Sequence, residues 1–274
     1  IRGPLRSRTI PDIVAEARFL AGEGVKELIV VAQDITAFGA DRGRVEIAEL
    51  LDALNAVEGI EWIRLLYAYP ERITDAFIAA MTRNEKVLHY LDVPIQHINS
   101  EMLRAMNRRG DRETVLDALT RLRAAMPDIT LRTTLITGYP GETQAQFEEL
   151  CEFVKDYAFD RLGCFAYSEE EGTVAGLPQL PQELREQRAE AVMNIQANVM
   201  ARRQEEKVGR TVQVICDGYD DENDLYICRT RADAPDIDAE CCVRSETPLE
   251  PGAFYRVTIE ESDVYDLSGA LAEG

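Results

Sequence analysis

The chain has 274 residues, a formal net charge of −20 at pH 7 and a hydrophobic fraction of 46 %. This length fits one large α/β unit, or one such unit with a small module, and the balanced composition excludes a disordered or fibrous protein. The strong acidity argues against binding nucleic acid over the whole surface and makes a basic partner more natural, although composition alone favours a charge that only keeps the protein soluble. No run of eighteen apolar residues predicts a membrane span, so we expect a cytoplasmic protein.

Short apolar runs alternate with amphipathic stretches through the first part of the chain. The runs predict buried strands over residues 25–34, 62–70, 87–97, 129–141 and 159–168, and the stretches predict helices over 11–22, 44–56, 73–82, 111–125 and 143–156. The repeated strand-then-helix order predicts a parallel sheet. Pro11 suits a first helical turn, and Thr143 with Gln146 matches a capping box.

The pattern changes after a long predicted helix from about Gln182 to Lys207. Four short alternating stretches follow, broken by Asp, Gly and Pro, which is typical of a small antiparallel β-barrel used for partner binding. We place the boundary near Val208–Gly209, giving domains over 1–207 and 208–274. The second domain holds sixteen Asp and Glu against five Arg, a net charge of −11.

Polar residues follow the predicted strands at the ends where working groups collect in parallel α/β folds. These residues are Gln33, Asp34, Tyr67, Tyr69, Gln96, His97, Thr137, Gly138, Tyr167 and Ser168. His97 is a possible general base, but its context favours the orientation of a loop or ligand. Arg132 lies inside an apolar strand and needs an anionic partner, which is either a ligand carboxylate or a structural salt bridge.

The cysteines do not predict a metal site in this chain. None of the six forms a C-x-x-C pair, and no spacing resembles zinc or iron–sulfur ligation. Cys241 and Cys242 lie in a predicted strand, where adjacent side chains point to opposite faces. We therefore expect six reduced, mostly structural cysteines.

Several long motifs, in order, resemble those of the radical S-adenosylmethionine methylthiotransferases. They are RGPLRSR (2–8), VVAQDIT (30–36), LLYAYPERITD (65–75), YLDVPIQHINSEMLRAMNRRG (90–110), LRTTLITGYPGET (131–143), FDRLGCFAYSEEEGT (159–173) and DVYDLSGAL (263–271). The resemblance covers essentially the whole chain. The segment RTRADAPDID (229–238) resembles the corresponding segment in the branch of the family that modifies an aspartate of a ribosomal protein.

The resemblance implies a fold and a set of cofactors. The fold is an α/β open (β/α) barrel of the radical SAM type, a partial TIM barrel lacking its first strand, followed by a five-stranded TRAM β-barrel. The cofactors are S-adenosylmethionine and, in a full-length protein, two 4Fe-4S clusters. Arg132 is expected to hold the methionine carboxylate, with Gln33, Gly138 and Tyr167 lining the nucleoside side. The cluster cysteines are expected upstream of Ile1, so this chain is expected to bind no cluster and to be inactive.

The resemblance also implies a partner and a reaction. The enzyme adds a methylthio group to the β-carbon of an aspartate in small-subunit ribosomal protein S-twelve, a basic protein. Asp233, Asp236 and Asp238 in the acidic second domain are expected to contact it. Two alternatives stay open, a tRNA adenosine methylthiotransferase of the same superfamily and a non-catalytic acidic module for a basic partner.

Overall fold

The first domain is built on five parallel strands in the order β1-β2-β3-β4-β5. They are β1 (Glu27–Val30), β2 (Trp62–Leu65), β3 (Val87–Asp92), β4 (Thr130–Thr137) and β5 (Arg161–Ala166). The structure is a computed structural model that describes residues 3–169 and 179–272. Each strand lies within a predicted apolar run, and each neighbouring pair is parallel, which confirms the predicted sheet.

Seven α-helices occur in the described residues. They are α1 (Ile10–Gly22), α2 (Ile47–Asn55), α3 (Asp75–Arg83), α4 (Ser100–Ala105), α5 (Arg112–Ala125), α6 (Gln144–Tyr157) and α7 (Gln182–Glu205). Only α4 was not predicted, because its six residues are too few to show a helical period. The predicted capping box is present: the Thr143 hydroxyl accepts the N–H of Gln146, whose side chain in turn accepts the N–H of Thr143.

The sheet packs its helices against one face and leaves the other partly open. In β4, Leu131, Thr133 and Leu135 are buried, whereas the alternate residues Arg132 and Thr134 are only half-buried. The buried set joins a single apolar core with the helices. We call the opposite side the concave face, because the curved sheet of a partial barrel encloses it.

The second domain is a closed five-stranded barrel in the order β10-β8-β7-β6-β9. Its strands are β6 (Thr211–Asp220), β7 (Leu225–Thr230), β8 (Cys241–Arg244), β9 (Phe254–Ser262) and β10 (Leu267–Leu271). The predicted barrel is antiparallel, but β10 and β8 pair in parallel. Since strand directions cannot alternate all the way around a ring of five, a closed barrel of this size needs one parallel pair. The predicted boundary near Val208–Gly209 falls in the turn between α7 and β6.

The barrel docks on the concave face of the sheet. Trp62 of β2 meets Phe254 of β9 edge to face, with ring centroids 4.9 Å apart. Ile215 and Ala234 of the barrel are buried in the same apolar cluster. Charged pairs surround this contact, and in one of them the Arg229 guanidinium lies 2.8 Å from a carboxylate oxygen of Glu27 in β1. The two domains therefore share one buried interface.

The described residues hold neither a membrane span nor a grouped metal-ligand set. None of their helices combines the length and the apolar character needed to cross a membrane. No cluster of three or more His, Cys, Asp and Glu in this part of the chain could hold a metal ion. All six cysteines are free thiols.

Candidate functional site

The backbone adopts a left-handed conformation where three neighbouring parallel strands end. Tyr67 after β2, Gln96 after β3 and Gly138 after β4 all have a positive φ, of 63°, 69° and 71°. For a tyrosine or a glutamine this left-handed conformation costs free energy, and such strain clusters at ligand-binding sites. We call this edge of the sheet the rim.

Gly138 is held between the end of β4 and helix α7. Its N–H donates to Oε2 of Glu142 over 2.9 Å. A Cβ atom at Gly138 would lie only 2.3 Å from Cγ of Arg185, so glycine is required there by space as well as by φ. This contact fixes the rim against the first turn of α7.

A buried ionic network supports the same loop. The Glu142 side chain is fully buried and accepts hydrogen bonds from Nη1 of Arg188, from the N–H of Gly138 and from Nε2 of His97, the last over 3.3 Å. Burial alone would raise the pKa of the Glu142 carboxyl, but the hydrogen bonds from His97, Gly138 and Arg188 lower that pKa below its ordinary value. Glu142 is therefore an anion at neutral pH. Glu142 carried no predicted role, because its side-chain partners His97 and Arg188 are 45 and 46 residues away in sequence.

His97 orients its own loop. Its Nδ1 accepts the backbone N–H groups of Ile98 and Asn99, both over 2.9 Å, so the proton of the neutral ring is on Nε2 and faces Glu142. With both nitrogens engaged and the ring fully buried, the imidazole has no free position for a substrate. This agrees with the second of the two roles considered for His97.

The residues predicted to line the nucleoside side of the adenosylmethionine site fall into two groups along the rim. Tyr167 lies beside Gly138: its N–H donates to the carbonyl of Thr137 over 2.8 Å, and its carbonyl accepts Nη1 of Arg185. The Tyr167 ring also meets Tyr139 edge to face at 5.0 Å. Gln33 is exposed in the bend after β1, the strand at the far edge of the sheet order. The structure thus brings Tyr167 and Gly138 together and places Gln33 on the opposite side.

Arg132 lies level with the end of β3, and its partner Asp92, the last residue of β3, also accepts the N–H of the rim residue Tyr67 over 3.3 Å. Arg132 precedes Gly138 by six residues, which is roughly 20 Å along an extended strand. Its Nη1 donates to Oδ1 of Asp92 over 2.9 Å, and its Nε lies 3.4 Å from Oδ1 of Asp238 in the barrel. Of the two partners considered from sequence, the structure supplies the salt bridge, and 19 % of the Arg132 side chain stays accessible.

The three aspartates expected to bind a partner have different environments. Asp233 is 2 % exposed and binds Arg161 of β5 and the hydroxyl of Thr230. Asp238 is also buried and accepts the hydroxyl of Tyr90 over 2.6 Å. Both carboxylates therefore serve the interface between the domains, because only a buried cation or donor compensates for their desolvation. Asp236 alone is exposed.

Several buried polar atoms near the rim have no partner in the described part of the chain, among them Oε1 of Gln96 and Nε of Arg185. Among the described residues, Oε1 of Gln96 is buried and accepts no hydrogen bond. A buried acceptor without a donor is costly, and a ligand that donates there removes the cost. This atom, with the required Gly138, suits a polar small molecule that donates a hydrogen bond at the rim.

The rim also carries a basic pocket that was not predicted. It has a volume of about 480 Å³ and is lined by Tyr69, Glu71, Arg72, Met106, Asn107, Arg108 and Arg109. We call it the rim pocket. Its sequence signal was the pair Arg108 and Arg109 in a chain of net charge −20, but Arg72 joins them only in the folded structure.

Two family models match the chain. A model described as the radical SAM superfamily matches residues 1–154, and a model described as the TRAM domain matches residues 208–271. Together they cover most of both domains described above.

Named relatives match along nearly the whole chain. The ribosomal protein uS12 methylthiotransferase RimO of Acetivibrio thermocellus is 46 % identical over 99 % of this chain and 60 % of the relative. The protein of the same name from Parabacteroides distasonis is 41 % identical over 99 % of this chain and 63 % of its own length. The chain thus spans about three fifths of these relatives.

A solved structure has a similar fold. The coproporphyrinogen III oxidase HemN of Escherichia coli, described as a radical SAM enzyme, superposes with a TM-score of 0.53 at 21 % identity. The match covers 71 % of this chain and 44 % of that chain. At this identity the likeness concerns the fold alone.

Proposed function

Because the chain belongs to the radical SAM superfamily, we propose that its activity is methylthio transfer to an aspartate of ribosomal protein uS12, a cytoplasmic reaction, with adenosylmethionine bound at the rim. The observation that carries the proposal is the identity of 41–46 % to uS12 methylthiotransferases along nearly all of this chain. The whole enzyme's reaction is a proposal, since the matches cover about three fifths of those relatives.

In the proposal, Gly138 and Tyr167 line one side of the adenosylmethionine site and Gln33 the other. Gln96 offers its unpaired oxygen to a donor of the ligand. Glu142 holds the Gly138 loop in place before the ligand arrives, so little order is lost on binding. We leave Arg132 out of the site because its guanidinium already contacts two carboxylates of the chain.

When bound, adenosylmethionine supplies radical chemistry at the β-carbon of the target aspartate. The chain's own contribution is to bind the nucleotide at the rim and to keep water from the concave face. In the part of the chain that the structure describes, no group of three or more His, Cys, Asp and Glu could hold a metal ion, and the neighbouring thiols Cys216, Cys228 and Cys241 lie buried in the apolar core of the barrel.

The acidic barrel suits a basic protein partner in this proposal. The segment 208–274 has a net charge of −11, which attracts lysine- and arginine-rich surfaces and repels RNA phosphates. Asp236 is the exposed member of the predicted partner-binding set, since Asp233 and Asp238 bind within the chain. This charge is the reason to prefer uS12 over a tRNA.

The proposal is tested by binding and by modification. The 274-residue chain is titrated with purified uS12 and with tRNA at low salt, and the gene product as the cell makes it is incubated anaerobically with uS12 and adenosylmethionine. We expect tighter binding to uS12 than to tRNA, and one methylthio group on a uS12 aspartate by mass spectrometry. Modification of tRNA with unmodified uS12 would reject the proposal.

A further inference from the structure

The rim pocket joins three cations in a strongly acidic chain. Arg72 lies after β2, and Arg108 and Arg109 lie in the segment after α4. The Arg108 guanidinium stacks over the ring of Tyr69 at 5.1 Å from its centroid. Stacking holds a guanidinium in one orientation and leaves its N–H edges free for an anion.

Few carboxylates of the described chain neutralise the positive charges of these three arginines. Arg72 pairs with Asp34 over 3.1 Å. In the parts of the chain that the structure describes, no carboxylate pairs with Arg108 or Arg109, although Glu71 lines the same pocket. Two neighbouring arginines that have no paired carboxylate repel each other, so an anionic ligand in the pocket would be attracted by both.

The pocket lies between the two halves of the proposed adenosylmethionine site. On one side, Arg72 contacts Asp34, the neighbour of Gln33. On the other, the hydroxyl of Tyr139 donates to the carbonyl of Ala105, which adjoins the pocket residue Met106, over 3.0 Å. Since the Tyr139 ring packs on Tyr167, an anion in the rim pocket would sit next to the proposed cofactor.

The pocket also opens to solvent. Asn107 and Arg109 are exposed at its mouth, so a side chain of a macromolecule can enter it. A single arginine can bind a carboxylate through two parallel N–H donors, which gives geometric specificity, and a second arginine beside it adds positive charge. In an aspartate the carboxylate carbon is bonded to the β-carbon, so fixing the one also fixes the other.

We propose that the rim pocket binds the carboxylate of the substrate aspartate through Arg108 and Arg109, and so directs its β-carbon toward the adenosylmethionine site. This inference rests on the proposed function and adds the residues that select the target side chain. Arg72 contributes positive charge to the same pocket. RNA phosphate is a less suitable ligand, because the net charge of −20 opposes its approach.

The test is a double-mutant cycle between the pocket and a peptide. A labelled uS12 peptide with the target aspartate, and the same peptide with asparagine there, are titrated by fluorescence anisotropy against the 274-residue chain and its Arg108→Gln and Arg109→Gln variants. Arg18→Gln on α1 is the matched control, because Arg18 is exposed and no carboxylate pairs with it among the described residues. Circular dichroism checks that each variant is folded.

We expect the unmodified chain and the control to bind the aspartate peptide about tenfold more tightly than the asparagine peptide, and each pocket variant to reduce this preference to about twofold. Equal binding of both peptides by the unmodified chain, or an unreduced preference in both pocket variants, would overturn the inference while the proposed function stands. Weaker adenosylmethionine binding in the variants with an unchanged peptide preference would also overturn it. Binding of tRNA but of neither peptide would reject the proposed function as well.

Discussion

The carboxylate of Asp233 in the barrel binds the guanidinium of Arg161 at the first position of β5. Nε of Arg161 donates to Oδ1 of Asp233 over 3.1 Å, and Nη2 donates to the same oxygen. Both side chains are less than one tenth exposed, and the hydroxyl of Thr230 binds the other carboxylate oxygen. This pair makes the barrel and the sheet depend on each other for stability.

Asp233→Asn should destabilise the protein strongly. Removing one partner of a buried ion pair leaves the Arg161 guanidinium uncompensated, which costs about 3–5 kcal/mol of unfolding free energy. Urea unfolding followed by circular dichroism measures the change. The control is Asp236→Asn, in the same segment but exposed, for which we expect a change within about 0.5 kcal/mol. Similar values for the two variants would contradict the assigned role of Asp233.

The same pair should make stability depend on pH. Complete burial alone would raise the pKa of Asp233, but Arg161 and Lys207 lower that pKa below the ordinary 3.8. A lowered pKa in the folded state stabilises the protein above the unfolded-state value, and the effect is lost as the pH falls through the folded-state value. The stability difference between the unmodified chain and Asp233→Asn should therefore be constant down to about pH 4 and shrink below it. A difference that grows on acidification would contradict this.

Gly138→Ala should perturb the rim. The new methyl group would overlap Arg185 and would also sit at a φ of 71°. Gly252→Ala is the matched control, because its φ is 81° but nothing lies within 4 Å of the new Cβ. We expect Gly138→Ala to lose about 1–3 kcal/mol more than the control and to bind adenosylmethionine more weakly, as measured by unfolding and by calorimetry. Equal losses would show that the space around Gly138 is not limiting.

Arg132→Gln separates the two roles considered for this residue. Since its guanidinium contacts Asp92 and Asp238, we expect a loss of about 1–3 kcal/mol in unfolding free energy. We also expect the ratio of affinities for adenosylmethionine and its decarboxylated analogue to stay the same. A ratio that falls in the variant would show instead that Arg132 contacts the methionine carboxylate.

Local patterns were sufficient to predict every strand and all but one of the α-helices described in the first domain. Apolar runs and helical periods depend on neighbours in sequence, so the five strands and the capping box of Thr143 and Gln146 could be predicted. Helix α4 was too short for that signal. Strand β10 was not predicted, because its only large apolar side chains are Leu267 and Leu271 at its two ends, which is too few to show an alternating pattern.

Pairings between distant residues could not be predicted in the same way. Glu142 and Arg188 are 46 residues apart, and Arg161 and Asp233 are 72 apart, so sequence shows two charges but not that they meet. The same limit applied to the aspartates of the barrel, whose sequence composition indicated a surface for a partner. Burial, which only folding decides, turned two of the three into internal contacts.

The sequence by itself determined the α/β order, the presence of a small second β domain, the total charge and the family, because these follow from local periodicity, composition and motif order. The tertiary structure alone decided which charges are compensated. It placed Arg132, Asp233 and Asp238 at a buried interface, where each needs an opposite charge. It also brought Arg72, Arg108 and Arg109 to one pocket, where the described residues supply little negative charge. A charge that is buried at the interface must be paired, because its desolvation is costly. The arginines of the solvent-accessible pocket do not have this requirement, so they remain available to a ligand.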